Sequence, residues 1–298
     1  MFRRSGGAKP PTDEWVAQLV ARARERLLAG GVPTEEAAGD AELLARHALK
    51  WDMARYLTSR GQPPPPGFYD LYESLIARRL RREPVSQIIG HREFWGLDFE
   101  VSRDVLTPRP ETETLVESAL EAFPRDARII IMDVGTGSGC LAVALASEFP
   151  HAMLIASDVS LPALEIARRN ASRHGMSHRI AFLHIGDLAP ENDVDLIVSN
   201  PPYIALREAE TLPMEVRDYE PHVALFGGDD GLEVYRKLLY ASRGSISPDG
   251  RMIVELGYNQ APDVVAIARA TGWVIDSTRR DLQGIERALT LRPLGEDE

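Results

Sequence analysis

From residue 128 onward, short apolar runs alternate with longer amphipathic stretches. The runs at 129–134, 153–157, 180–185 and 194–198 are five or six residues long. They are too short for buried helices and mostly apolar, so they read as strands covered on both faces. The stretches at 141–148 and 161–174 carry apolar residues at helical spacing. Strand, helix, strand, helix in that order predicts a mostly parallel sheet with helices on both sides. A further helix is expected over 232–241, a strand over 251–256 and a helix over 261–271. Two last strands at 273–278 and 287–292 bring the sheet to seven. Open sheets of this kind bind ligands at the carboxyl ends of their strands.

Those strand ends carry the polar residues. The first run stops at Gly135-Thr136-Gly137-Ser138-Gly139, a glycine-rich turn that lets a ligand approach the backbone. The dinucleotide fingerprint places its third glycine one position later, where this chain has Cys140. The second run ends in Asp158, about 20 residues further on, where a carboxylate can hold ribose hydroxyls. The third ends in Gly186-Asp187-Leu188, beside the place of an adenine edge. Singly, these are a tight turn, a helix cap and a turn aspartate. Together at successive strand ends they outline an adenosine site.

The fourth run ends in Ser199-Asn200-Pro201-Pro202-Tyr203. Pro201 holds Asn200 extended, and Pro202 does the same to Pro201. The prolines fix φ and donate nothing, so the turn is stiff and its carbonyls stay unspent. Asn200 offers an amide oxygen, Pro202 a backbone oxygen and Tyr203 a flat ring with a hydroxyl. Two acceptors beside an aromatic face suit a planar group bearing an NH2. A long loop over 204–230 follows, and loops of that length in compact domains are usually functional.

The N-terminal part is different. Residues 13–58 and 68–81 read as helices, with stripes formed by Trp15, Leu19, Ala23, Leu27 and Leu28, and by Leu71, Leu75 and Leu80. Thr34 is a candidate N-cap. Residues 1–12 read as a disordered tail. Arg78, Arg79, Arg81 and Arg82 form a basic run, expected to be a solvated helix end rather than a nucleic-acid contact. The alternating residues 94–101 around Gly96 predict a hairpin. The expected division is a helical domain at 13–85, a hairpin linker at 86–107 and a sheet domain at 108–298. Pro110 with Glu111 and Glu113 starts a helix, which sets Arg109 as one wall of the site.

Composition narrows the function. The formal net charge is −11, which argues against extended phosphate-backbone binding. Residues 1–85 hold 14 Lys/Arg against 11 Asp/Glu, so the acidity belongs to the sheet domain. A single cysteine, Cys140, allows no intrachain disulfide and favours a reducing compartment. No Cys/His cluster has metal-ligand spacing, so no metal is expected. No run approaches a membrane span and no apolar segment follows the N-terminal arginines.

These stations make the chain resemble the class I S-adenosylmethionine-dependent methyltransferases. Asn200-Pro201-Pro202-Tyr203 narrows the resemblance to the amino-methylating groups. Arg92-Glu93-Phe94-Trp95-Gly96, 107–113, Glu215-Val216-Arg217 and Ala224-Leu225-Phe226-Gly227-Gly228 look like the HemK/PrmC family, over about residues 13–292. The resemblance implies a Rossmann-like α/β fold with a helical-bundle domain in front. It implies S-adenosylmethionine bound by Gly135, Thr136, Gly137, Ser138, Gly139, Asp158, Asp187, Leu188 and Asn200. It implies methylation of the glutamine amide in a Gly-Gly-Gln loop of bacterial-type class I peptide chain release factors, in the cytoplasm. Asn200, Pro202 and Tyr203 would be catalytic, and Asn200, Pro201, Pro202, Tyr203 and Arg109 would bind substrate. Two alternatives stay open on the residues alone. One is an adenine N6 or guanine N2 methyltransferase, which needs a phosphate-binding surface. The other is a non-catalytic adenosine-binding protein.

Overall fold

A computed structural model describes residues 14–185 and 193–295. The expected tail at 1–12 lies outside the described residues, as do Asp187 and Leu188. The chain divides into two compact units, the first ending at Ile89 and the second starting at Gly90. Among the described residues no helix is long and apolar enough to cross a membrane.

The first unit holds helices α1 (Val16–Ala29), α2 (Thr34–Leu49), α3 (Met53–Ser59), α4 (Phe68–Leu80) and α5 (Val85–Ile89). Its core is built from residues such as Leu19, Leu27, Leu44, Tyr72 and Ile76. Several sequence expectations are corrected here. Trp15 sits before α1 in an extended conformation and is exposed, off the helical stripe. Thr34 is the first helical residue, because Pro33 occupies the cap and its carbonyl takes the first bond, from Ala37 N. Leu71 is exposed, because the inner face of α4 is set by Phe68, Tyr72, Leu75, Ile76 and Arg79. Arg79 is therefore no solvated helix end. It is 1% exposed. Its guanidinium meets Asp40 Oδ2 at 2.6 Å and Glu36 Oε2 at 2.8 Å on α2.

The second unit opens with a hairpin, β1 (His91–Phe94) and β2 (Leu97–Glu100). Trp95 and Gly96 turn it with positive φ at both positions, the geometry that matches strand twist. The boundary between units falls inside the expected linker at 86–107. The residues before it form α5, while Phe94 and Phe99 of the hairpin are buried in the core of the second unit.

The remaining elements are α6 (Glu113–Ala122), β3 (Ile130–Val134), α7 (Cys140–Glu148), β4 (Met153–Asp158), α8 (Leu161–Arg173), β5 (Ile180–His184), β6 (Val194–Ser199), α9 (Met214–Arg217), α10 (Glu233–Ser242), β7 (Ile246–Glu255), α11 (Ala261–Ala270), β8 (Trp273–Arg280) and β9 (Glu286–Pro293). The sheet has seven strands in the order β5-β4-β3-β6-β7-β9-β8. Pairs among β5, β4, β3, β6 and β7 are parallel, and β9 runs antiparallel to β7 and β8. The chain winds outward from β3 to β5 and then returns to β6 beside β3. That reversal opens a crevice above the ends of β3 and β6. The glycine turn follows β3 and Asn200 follows β6, so both overlook it. Central apolar residues of β3 and β6, such as Ile131, Met132, Leu196 and Ile197, are fully buried, as strands covered on both faces require.

Candidate active site

The crevice is a cavity of about 470 Å³, within the range of small-molecule sites. Its floor is the glycine turn. Gly139 takes φ of +79°, and a Cβ there would lie 3.0 Å from Ala167 Cβ on α8. Only glycine lets the turn close onto that helix. Asp133, the β3 residue beneath the turn, braces it from below. Its Oδ2 accepts from Thr136 Oγ1 at 2.6 Å and from Ala142 N at 3.2 Å. Burial pushes the Asp133 carboxyl up to about 7, against the pull of those two donors.

Asp158 ends β4 on the cavity wall. Its Oδ2 accepts from Gly137 N and its Oδ1 from Ser160 N, both at 2.9 Å. The carboxylate thus ties the glycine turn to the start of α8. A carboxylate has about four acceptor positions, so capacity remains for a ligand's hydroxyls.

Asn200 lines the opposite wall. Its Nδ2 donates to Thr112 Oγ1 at 3.1 Å, and the Thr112 hydroxyl donates to Glu255 Oε2 at 2.6 Å. Asn200 Oδ1 and the Pro202 carbonyl accept no hydrogen bond from the described residues. A Cβ on Gly227 would sit 2.4 Å from the Pro202 oxygen, so glycine is needed where the following loop folds back. That loop is anchored by Gly227 N donating to Ile204 O and Ile204 N donating to Leu225 O, both at 2.9 Å.

The chain matches two family models: the PrmC N-terminal domain over residues 18–90 and the methyltransferase small domain over 112–215. A release factor glutamine methyltransferase of Cereibacter sphaeroides is 42% identical over 280 residues, 93% of this chain and 98% of that one. Its counterpart in Geobacter sulfurreducens is 42% identical over 257 residues, 86% of this chain and 89% of that one. The chain belongs to the release factor glutamine methyltransferase family.

Solved structures give the fold independently. The hMettl16 catalytic domain, crystallised in complex with a 3′UTR hairpin, superposes with a TM-score of 0.57 at 16% identity, over 74% of this chain and 83% of that one. A methyltransferase from Pyrococcus furiosus gives 0.50 at 20% identity, over 74% and 98%. The second unit of this family member has the class I methyltransferase fold.

Of the residues singled out in the sequence, Gly135, Thr136, Gly137, Ser138 and Asp158 line the cavity on one side. Asn200, Pro201, Pro202 and Arg109 line it on the other. Gly139 lies under the wall, packed on α8. Tyr203 is not among the lining residues. Its ring lies against Gly257, its hydroxyl is 3.4 Å from Glu255 Oε1, and its carbonyl accepts from Gln260 Nε2 at 2.9 Å. The ring packs toward Gly257 and Glu255 and supports the turn there. Burial pushes its hydroxyl above the usual tyrosine range.

Sequence reasoning missed three polar residues. Glu220 is 5% exposed and bonds Arg109 Nη2 through Oε2 at 2.7 Å. Burial raises its carboxyl although Arg109 pulls the other way. Thr112, which also lines the cavity, and Glu255 are almost fully buried beside Asn200. Glu255 closes an apolar strand just as Asp158 closes β4, and that likeness was the available signal.

Proposed function

We propose that this protein transfers a methyl group from S-adenosylmethionine to the side-chain amide nitrogen (N5) of the glutamine in the Gly-Gly-Gln motif of bacterial-type peptide chain release factors. Its relatives are named release factor glutamine methyltransferases and match over nearly the full length of the chain. The observation that carries the reading is a pair of unspent acceptors, Asn200 Oδ1 and the Pro202 carbonyl, on residues lining the same cavity as the glycine turn.

The cavity residues fit the cofactor: a close-packed glycine turn, a strand-end carboxylate with spare acceptor positions, and a volume of about 470 Å³. S-adenosylmethionine supplies a methyl group activated on a sulfonium centre. The 135–139 turn and Asp158 would hold it, with Asp158 on the ribose hydroxyls. Asp187 and Leu188 are assigned to the adenine edge on sequence position.

A carboxamide nitrogen is a weak nucleophile because its lone pair is delocalised. Asn200 and Pro202 accept its two N–H groups and set the nitrogen's direction. Such positioning is the main catalytic resource here. Pro201 and Pro202 keep both acceptors stiff, and Tyr203 backs them. Leu106, Val223 and Phe226 supply apolar wall that keeps water from the transferring methyl. Arg109, held by Glu220, orders the wall next to the substrate.

The helical unit ending at Ile89 recognises the release factor. A release-factor substrate implies a cytoplasmic site of action and no need for nucleic-acid contact. Mass spectrometry of a release factor after incubation with this protein and S-adenosylmethionine tests the reading. One added methyl group on the Gly-Gly-Gln glutamine is expected. An unmodified release factor, with methyl transfer to adenine or guanine in nucleic acid instead, would overturn it.

A further inference from the structure

The hydrogen bonds behind Asn200 have a direction. A threonine hydroxyl has one hydrogen to give. Thr112 gives it to Glu255 Oε2 at 2.6 Å, so its lone pair is what faces Asn200. The Asn200 side chain meets that lone pair with its NH2 group, at 3.1 Å. Oδ1 is then the end left for a ligand. A carboxamide turned the other way would present N–H groups to the substrate's own N–H groups.

We propose that Thr112 and Glu255 are positioning residues for methyl transfer: Glu255 sets the direction of the Thr112 hydroxyl, and that hydroxyl sets which end of the Asn200 carboxamide faces the substrate. This rests on the reading of Asn200 as the acceptor for the target amide. The relay is built for a fixed geometry. Thr112 is 3% exposed and Glu255 1%, and they lie 143 residues apart in the chain. The Tyr203 hydroxyl reaches Glu255 Oε1, and the Tyr235 hydroxyl donates to the Glu255 carbonyl at 2.7 Å.

The relay can also run backwards. A protonated Glu255 can donate to Thr112, which frees the threonine hydrogen to point at Asn200 and favours the flipped carboxamide. The groups facing Glu255 are Glu111 beside Thr112, Tyr203 after β6, Arg287 on β9, Tyr235 on α10 and Cys140 at the start of α7. Arg287 is held in place by Asp281 Oδ2 at 2.9 Å. Burial dominates over Thr112 and Arg287 and pushes the Glu255 carboxyl up to about 7. Transfer should therefore weaken on acidification through neutral pH.

Two readouts on the full-length protein test this. The first is NMR of the Asn200 side-chain NH2 pair. In the parent it should titrate near neutral pH, and in Glu255→Gln, which still accepts but cannot ionise, that titration should vanish. The second is kcat against pH with saturating release factor and cofactor. The parent should lose roughly tenfold from pH 8 to pH 6, as one essential carboxylate requires, and Glu255→Gln should flatten that limb. Thr112→Val should lower kcat by about tenfold, the size of one lost hydrogen bond, with the cofactor KM little changed. Thr112→Ser, which keeps the hydroxyl, should restore most of it. A folded Thr112→Val protein with parental kcat, or an Asn200 signal and acid limb unchanged in Glu255→Gln, would overturn the proposal. If Thr112→Val does not fold, the Glu255→Gln comparisons decide. A parent that fails to methylate the release factor overturns the functional reading instead, and the NMR titration still decides the relay.

Discussion

Asp133 and Asp158 stand on neighbouring strands and do different work. Asp158 touches the cavity, while Asp133 is sealed beneath the glycine turn with Oδ1 unpartnered among the described residues. The Asp133 carboxyl is raised to about 7 by burial, and in the unfolded chain it returns to about 3.9. Between those values the folded protein keeps a proton that the unfolded chain releases. Its stabilising contribution is thus complete below the unfolded pKa and is lost as pH rises through the folded one. Asp133→Asn stays neutral throughout. Relative to the parent it should gain about 1–3 kcal/mol in unfolding free energy between pH 5 and pH 8.5. Denaturant melts at the two pH values measure this, and a difference that does not move with pH would contradict it. Of the two, only Asp158 was given a role from the sequence. Asp158 was found because it ends a strand after a glycine turn. Asp133 lies inside an apolar run, where nothing marks it except its own polarity.

At the level of elements, periodicity carried most of the information. The strand expected over 153–157 is observed as Met153–Asp158, and the helix expected over 161–174 as Leu161–Arg173. The strand at 251–256 is longer, Ile246–Glu255, because Ser247, Asp249 and Gly250 continue it with polar residues around a shifted register. Arg79 shows the limit differently. It is in phase with Tyr72, Leu75 and Ile76, yet its charge argued for solvent until Glu36 and Asp40 were seen opposite. The loop at 204–230 was legible as long, polar and rich in family motifs, but its fold was not. Its order comes from partners far away in sequence, above all Arg109 on Glu220. Arg109→Ala would leave Glu220 buried without its cation. Because the Arg109 side chain is 37% exposed, a cost of about 1–3 kcal/mol is expected, below that of a fully buried pair. It should appear as faster proteolysis within 204–226. Cleavage rates equal to the parent would show that the loop is held by its backbone bonds alone.

For the molecule as a whole, the sheet unit and the helical unit have separate cores, and the cavity is lined by the sheet unit. The seven strands, mostly parallel, and the ligand site at their carboxyl ends followed from the strand–helix alternation, while the strand order and the antiparallel β9 did not. The substrate did not follow from that alternation. It rests on the Asn-Pro-Pro-Tyr turn and on family membership. A protein beginning at Gly90 should bind S-adenosylmethionine with an affinity close to that of the parent and methylate an intact release factor poorly. Equal turnover would remove the helical unit from recognition.

The central claim is that Asn200 aims the target amide, and one comparison tests it most directly. The single-turnover rate of methyl transfer to a release factor should be measured for the parent and Asn200→Ala, at a temperature where both are folded, with cofactor affinity taken by calorimetry on the same samples. Losing one preorganised polar contact in a dry site costs on the order of 3 kcal/mol of transition-state stabilisation. The rate should therefore fall about a hundredfold, while cofactor affinity stays near that of the parent. A folded Asn200→Ala protein that transfers methyl groups at the parental rate would contradict the account.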